Sequence, residues 1–218
     1  SVAPKQVSIL NERVQPLEGL RIVLAGTNKQ AEEINQGKLA RIDSEQKMFS
    51  STKFGDWPAL PAEEFLRLKV GAQVMVKMNG ADRPEGFKGD FASVVVNGTL
   101  GVVKEMEDNR VLIDLGNDTE VWIYRRRWER KVKEKIDGMW EERIVASFEQ
   151  IPLALAWAIS IHKSQGQTFE QVHIDASRIF AAGQLYVALS RAKSMAGITL
   201  QSRVDARKFF ADRNVIRF

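Results

Sequence analysis

Between residues 68 and 145 the sequence is a succession of short runs in which apolar and polar residues alternate: VGAQVMVKMN, FASVVVNGTLGVVKEME, RVLIDLG and EVWIYRRRW. Gly80, Pro84, Gly86, Gly89, Asn97-Gly98, Asp108-Asn109 and Gly116-Asn117 part them. Alternation with period two between turn-forming residues marks half-buried strands. Several such strands packed into so short a segment predict a small antiparallel β-barrel. The flanks have a different texture. In GLRIVLAGTNKQAEEIN, residues 19–35, a short buried run at Ile22, Val23 and Leu24 gives way at Thr27 to the helical spacing of Ala31 and Ile34, which predicts strand, turn and helix. Residues 41–63, punctuated by Gly55, Pro58 and Pro61, read as a connection. After Gln150 the mixed pattern returns: a helix is expected from Pro152 to Lys163, a strand at 171–175, a helix at 183–193, a strand at 197–201 and a helix at 204–213. The expected organisation is an α/β domain in two parts, 1–67 and 146–218, interrupted by a β-barrel insertion at 68–145.

A chain of 218 residues with 44% apolar content can bury a core, so disorder is not expected. It has no cysteine and only two histidines, His162 and His173, so disulfide and thiolate chemistry are excluded and no metal site is expected. The longest apolar stretch, IPLALAWAISI at 151–161, is too short to span a bilayer, and SVAPKQVSIL lacks the layout of a signal peptide. A cytoplasmic, intracellular protein with no membrane partner follows as the expectation. The net charge of +4 says little by itself, because it is its distribution that selects partners.

That distribution is uneven. YRRRWERKVKEK at 124–135 holds seven basic residues against two acids, and Trp122, Tyr124 and Trp128 are interleaved with them. Arg125, Arg126, Arg127 and Trp128 are therefore candidates for phosphate pairing and base stacking along a single nucleic-acid strand, the alternative being a solvated strand pair. In YVALSRAKS, 186–194, Arg191 is expected on a helix, either as a salt-bridge residue or as a planar donor fork offered to a polyphosphate. Thr27 and Asn28 stand where a strand hands over to a helix. Free N–H groups and the helix dipole favour an anion there, although an ordinary N-cap explains Thr27 equally. Finally, AISIHKSQGQTF at 158–169 gathers His162, Lys163, Ser164, Gln165, Gly166, Gln167 and Thr168, as a helix end running out into glycine also does.

Taken together, LRLKVGAQVMVKMN (66–79), VVNGTLGVV (95–103), IPLALAWAISIHKSQGQTFEQVHID (151–175) and GQLYVALSRAKS (183–194) resemble, in the same order, motifs of the second RecA-like motor domain of superfamily 1B DNA helicases of the Pif/RecD type. The resemblance implies a RecA-like, P-loop-NTPase-type α/β fold, a parallel sheet flanked by helices, with a small Src-homology-3-like β-barrel inserted. It implies His162, Lys163 and Ser164 near the DNA backbone and Gly166 and Gln167 toward the nucleotide. Arg191 would reach the γ-phosphate as an arginine finger, and Thr27 and Asn28 would touch a nucleic-acid phosphate. It further implies single-stranded DNA as partner, movement from 5′ to 3′, a role in DNA repair or recombination, and a monomer. The chain departs from a complete motor in two respects. No G-x-x-x-x-G-K-[ST] occurs, since Gly37-Lys38 has Glu32 in place of the first glycine and Leu39 in place of Ser/Thr. The Walker B acids are missing too. A C-terminal fragment is expected, binding ATP and Mg2+ only together with a first motor domain. A RecD-type exonuclease or conjugative helicase subunit and a stand-alone nucleic-acid-binding module are the alternatives.

Overall fold

Every residue of β1 (Ile22–Ala25) is buried, which requires a strand with neighbours on both sides and cover on both faces. The computed structural model, which describes residues 4–78, 95–116, 119–136, 139–179, 181 and 183–205, supplies both. β1 lies between β12 (Ala158–Ser160) and β13 (Val172–Ile174), with β14 (Ile198–Leu200) beyond, in the order β12-β1-β13-β14. All three pairings are parallel. Against this sheet packs α2 (Asn28–Ala40), whose Ala31 meets Val23, Ala25 and Ala158. After α1 (Pro4–Asn11) the chain bonds the far edge, Gln15 N–H donating to the Leu200 carbonyl. These elements belong to one compact unit, residues 1–41 with 156–218.

In the second unit, 42–155, the described elements are all β-strands. A five-stranded antiparallel sheet runs β11-β5-β6-β7-β8, built from β5 (Gln73–Val76), β6 (Leu100–Met106), β7 (Arg110–Asp114), β8 (Glu120–Tyr124) and β11 (Leu153–Leu155). Its meander is the alternating pattern made visible: Val111, Ile113, Val121 and Ile123 point into the core while the residues between them do not. β9 (Arg126–Ile136) and β10 (Met139–Gln150) form a long antiparallel ribbon, joined along β10 by β3 (Thr52–Phe54). Residues 139–144 of β10 are all exposed, whereas Ala146, Phe148 and Gln150 are buried. β2 (Gln46–Ser50) pairs with β4 (Phe65–Lys69).

Four expectations are corrected. The segment expected as a helix from Pro152 to Lys163 is two short strands, β11 and β12, followed by turns over 161–166. An apolar run buried on every side carries no periodicity, so strand pairing decides it: Leu153–Leu155 with Val74–Val76, and Ala158–Ser160 with Val23–Ala25. The supposed connection at 41–63 contains β2 and β3. Its anchor is the fully buried Gln150, whose Nε2 donates to the Phe49 carbonyl at 2.9 Å and to the Glu63 and Glu64 carbonyls. The β-rich unit therefore reaches from Ile42 to Leu155 rather than from 68 to 145. Lastly, α3 covers only Gln184–Leu189, so Arg191 lies in the turn beyond the helix. Of the helix expected at 204–213 only Val204 and Asp205 are described, and they are not helical.

Candidate functional site

All four strands of the parallel sheet point the same way, so the loops that follow β1, β12 and β13 gather at one edge, where ligands of open α/β sheets bind. Gly26 follows β1, and a Cβ there would stand 2.5 Å from the Arg178 carbonyl oxygen. Only glycine lets the chain pass this close. The Gly26 carbonyl accepts from Gln184 Nε2 at 2.8 Å, which ties the start of α3 to the end of β1. Thr27 is extended, and its hydroxyl accepts from the Gln30 N–H at 3.2 Å as the N-cap of α2. Its oxygen therefore serves the helix. Asn28, exposed at the helix start, accepts through Oδ1 from the Ser160 hydroxyl at 2.5 Å.

The loop after β12 begins as sheet and ends as turns. Ile161 N–H donates to the Ala25 carbonyl, continuing the ladder, and Ser164 N–H then donates back to the Ser160 carbonyl at 3.0 Å. His162 and Lys163 are exposed, and Ser164 is fully buried with its hydroxyl donating to the Ile161 carbonyl at 2.7 Å. Of the three residues expected near a DNA backbone, two are thus presented to solvent and the third holds the turn. Gly166 sits in the left-handed region with φ of 77°, which turns the chain toward Gln167. Gln167 Oε1 is buried without a hydrogen-bond partner, as is Gln30 Oε1. A buried acceptor left unpaired costs about 1–3 kcal/mol, so each is placed to receive a donor.

Arg191 closes the site. Its Nε donates to the Val187 carbonyl at 3.1 Å, Nη1 to the Gln167 carbonyl at 3.1 Å and the Ser164 carbonyl at 3.4 Å, and Nη2 to Ser190 Oγ at 2.9 Å. The main chain reinforces this clamp, since Phe169 N–H donates to the Arg191 carbonyl and Lys193 N–H to the Phe169 carbonyl. Thr27, Asn28, the 162–167 loop and Arg191 are therefore one hydrogen-bonded assembly. Sequence reasoning missed Ser160 and Gln184. The signal for Ser160 was its place as the lone hydroxyl within IPLALAWAISI.

The basic segment belongs to the β-rich unit and is differently arranged. Arg125 is drawn inward, with Nη1 and Nη2 both donating to the Ser50 carbonyl at 3.1 Å. Arg126 stacks over Trp128, and Arg127 pairs with Glu129 at 3.2 Å. Trp128 itself packs against Phe148, with ring centroids 5.9 Å apart. Trp122 is covered by the Arg110 guanidinium, 4.0 Å from its ring centroid. Arg110 also donates to both carboxylate oxygens of Glu107, and that hydrogen bonding holds the Glu107 carboxyl below its usual range. The aromatics interleaved with the arginines are thus largely occupied by neighbours. Further along the ribbon Lys131 pairs with Glu142 at 3.7 Å, and Lys133 and Lys135 stand opposite Glu142 and Trp140.

Residues 155–199 match the UvrD-like helicase C-terminal domain family. The ATP-dependent DNA helicase Pif1 of Bdellovibrio bacteriovorus is 33% identical over 220 residues, covering 96% of this chain and 46% of the relative. The crystal structure of Bacteroides sp Pif1 in complex with ADP-AlF4 shares 30% identity at a TM-score of 0.84, over 100% of this chain and 49% of that one. The Bacteroides Pif1 structure bound to single-stranded DNA gives a TM-score of 0.67 at the same identity. The chain spans about half the length of these Pif1 proteins. The parallel RecA-like sheet, the loops at its carboxyl edge and these similarities agree, and the chain belongs with the C-terminal motor domains of the Pif1-type superfamily 1B helicases.

Proposed function

We propose that this chain is the second motor domain of an ATP-dependent DNA helicase, binding single-stranded DNA and completing a nucleotide site shared with a first motor domain. The observation that carries the proposal is the Arg191 guanidinium seated on the carbonyls of Ser164 and Gln167. It joins a residue suited to a γ-phosphate to the loop that presents His162 and Lys163. A planar fork on a polyphosphate stabilises charge that develops during phosphoryl transfer. The unpaired Gln167 Oε1 and the open backbone at Gly166 fit the edge of a bound nucleotide, with Mg2+ and the Walker elements supplied by the other domain. ATP hydrolysis would supply the free energy for movement along DNA. Arg191 would contact the phosphates, and Thr27, Asn28, His162 and Lys163 would hold the strand, with Ser164 shaping the turn from within.

The β-rich unit is, in this proposal, the Src-homology-3-like barrel inserted into the motor domain, supported by its five-stranded meander and by its interruption of the chain between Arg41 and Ala156. Arg126, Arg127 and the ribbon lysines would add electrostatic affinity for the strand. A cytoplasmic, monomeric enzyme moving 5′ to 3′ in DNA repair or recombination completes the proposal. The absence of cysteine is consistent with that compartment.

The test is a polypeptide joining this chain to a first motor domain. His162→Ala should lower single-strand affinity and the DNA stimulation of ATP turnover more than basal turnover. Gln167→Ala should reduce basal turnover and leave affinity measured without nucleotide near normal. Equal losses in both activities, tracking a lowered melting temperature, would mean that the loop only packs.

A further inference from the structure

Helix α2 grips the edge strand β12 at two points. At the inner one the Asn35 side-chain amide donates to the Ala158 carbonyl at 2.9 Å and accepts from the Ala158 N–H at 2.8 Å. It replaces the neighbouring strand that an edge lacks. At the outer one Asn28 Oδ1 accepts from the Ser160 hydroxyl. Asn28 and Asn35 are two helical turns apart and share a face, and Ala158 and Ser160 are two residues apart on the strand, so both contacts follow from one helix–strand register.

Ser160 is 1% exposed, and its hydroxyl uses both capacities: it donates to Asn28 and accepts from the Lys163 N–H at 3.2 Å. A hydroxyl has one hydrogen, so these two bonds orient each other. The bond to Asn28 fixes the plane of that amide, and with it the directions of the two Nδ2 donors on an exposed side chain at a helix N-terminus. The bond from Lys163 fixes the first turn after β12, which presents His162 and Lys163. A single buried oxygen therefore sets two groups that come from sequence segments more than 130 residues apart.

We infer that Ser160 is a positioning residue that aligns Asn28 with the His162–Lys163 turn, so that both meet the phosphates of one DNA strand. The inference rests on the proposed single-strand binding by these residues. It adds a residue that touches no ligand and acts through two that do.

The experiment measures the affinity of the 218-residue chain for a labelled oligothymidylate at low salt, well below the melting temperature of each variant. Ser160→Ala and Asn28→Ala should each weaken binding by about tenfold, and the double variant should be no weaker than the worse single one within about twofold, because the second change removes a bond already lost. Ser160→Thr, which keeps the hydroxyl, should restore affinity to within about threefold of the unaltered chain. If Ser160→Ala does not fold, Ser160→Cys takes its place, since a thiol is a weak donor of similar size. Additive losses, or a Ser160→Ala variant that binds normally while Asn28→Ala does not, overturn the inference alone. An unaltered chain that does not bind, or normal binding by both single variants, sinks the single-strand reading of these residues and the inference with it.

Discussion

Replacing Arg191 separates what it does for the fold from what it is proposed to do for a nucleotide. Alanine removes three well-formed hydrogen bonds, to Val187, Gln167 and Ser190, and a longer one to Ser164. At about 1 kcal/mol each for the three shorter bonds, the value for ordinary bonds because the group is only partly buried, the cost is about 3 kcal/mol. For a unit of this size that lowers the melting temperature by roughly 10–20 °C. Lysine keeps one cationic donor, able to reach one or two of the same carbonyls, and should recover about half of the lost stability, but it cannot present a fork. The two variants should therefore differ in melting temperature, measured on this chain, and agree in turnover. In a polypeptide that includes a first motor domain both should lose about 10³-fold in kcat for ATP, assayed below the melting point of the weaker variant. Refutation would be a lysine variant whose turnover recovers in step with its stability, which would make Arg191 a brace and nothing more.

The chain alone, purified free of other ATPases, should show no DNA-stimulated ATP hydrolysis, because no phosphate-cradling G-x-x-x-x-G-K-[ST] loop is present in its sequence; turnover like that of an intact helicase would overturn the two-domain reading. The three consecutive arginines should divide by role. Arg126→Ala with Arg127→Ala should flatten the salt dependence of single-strand binding by up to about two ions, whereas Arg125→Ala, which frees the Ser50 carbonyl, should lower the melting of the β-rich unit and leave the salt slope unchanged. A salt slope that responds only to Arg125 would reverse that assignment.

How much was legible depended on whether a segment's fate was decided locally. The IVLA run, Thr27 and the spacing of Ala31 fix a strand, a cap and a helix within one short stretch, and the structure has all three. The 151–161 run was illegible because its residues are buried whichever way they fold, and its pairing partners, at 23–25 and 74–76, are far off in sequence. β2 was hidden because only Phe49 of its five residues is buried, which leaves no alternation to detect. At the basic segment, composition revealed arginines among aromatics but not that Arg110 covers Trp122 or that Ser50 holds Arg125. Thr27, Asn28, the 162–168 cluster and Arg191 stood out by residue type and position, the resemblance supplied their expected roles, and only geometry gave their connections. Ser160 carries no motif of its own, and it matters because Asn28 is folded against it.

The loop between β12 and Phe169 is pinned at both ends by contacts of different kinds, and this limits how it can transmit anything. At its start Ser160 is buried and bonded to Asn28, which moves only with α2. At its end Gln167 and Ser164 are held by a guanidinium that is partly exposed. A ligand that draws the Arg191 fork away must break the bonds to those carbonyls; the Ser164 carbonyl keeps the Gln167 N–H at 3.0 Å, whereas the Gln167 carbonyl loses the Arg191 donor. The turn they close is the one that presents His162 and Lys163. In the proposed function, the coupling between a nucleotide on Arg191 and a strand on that turn would be set by those two exchanged bonds, about 1–3 kcal/mol together. That corresponds to about a 5- to 150-fold change in affinity, reciprocal between the two ligands. In the proposed motor such a value would let the domain hold and release its strand in turn, because much tighter coupling would leave it bound in one state.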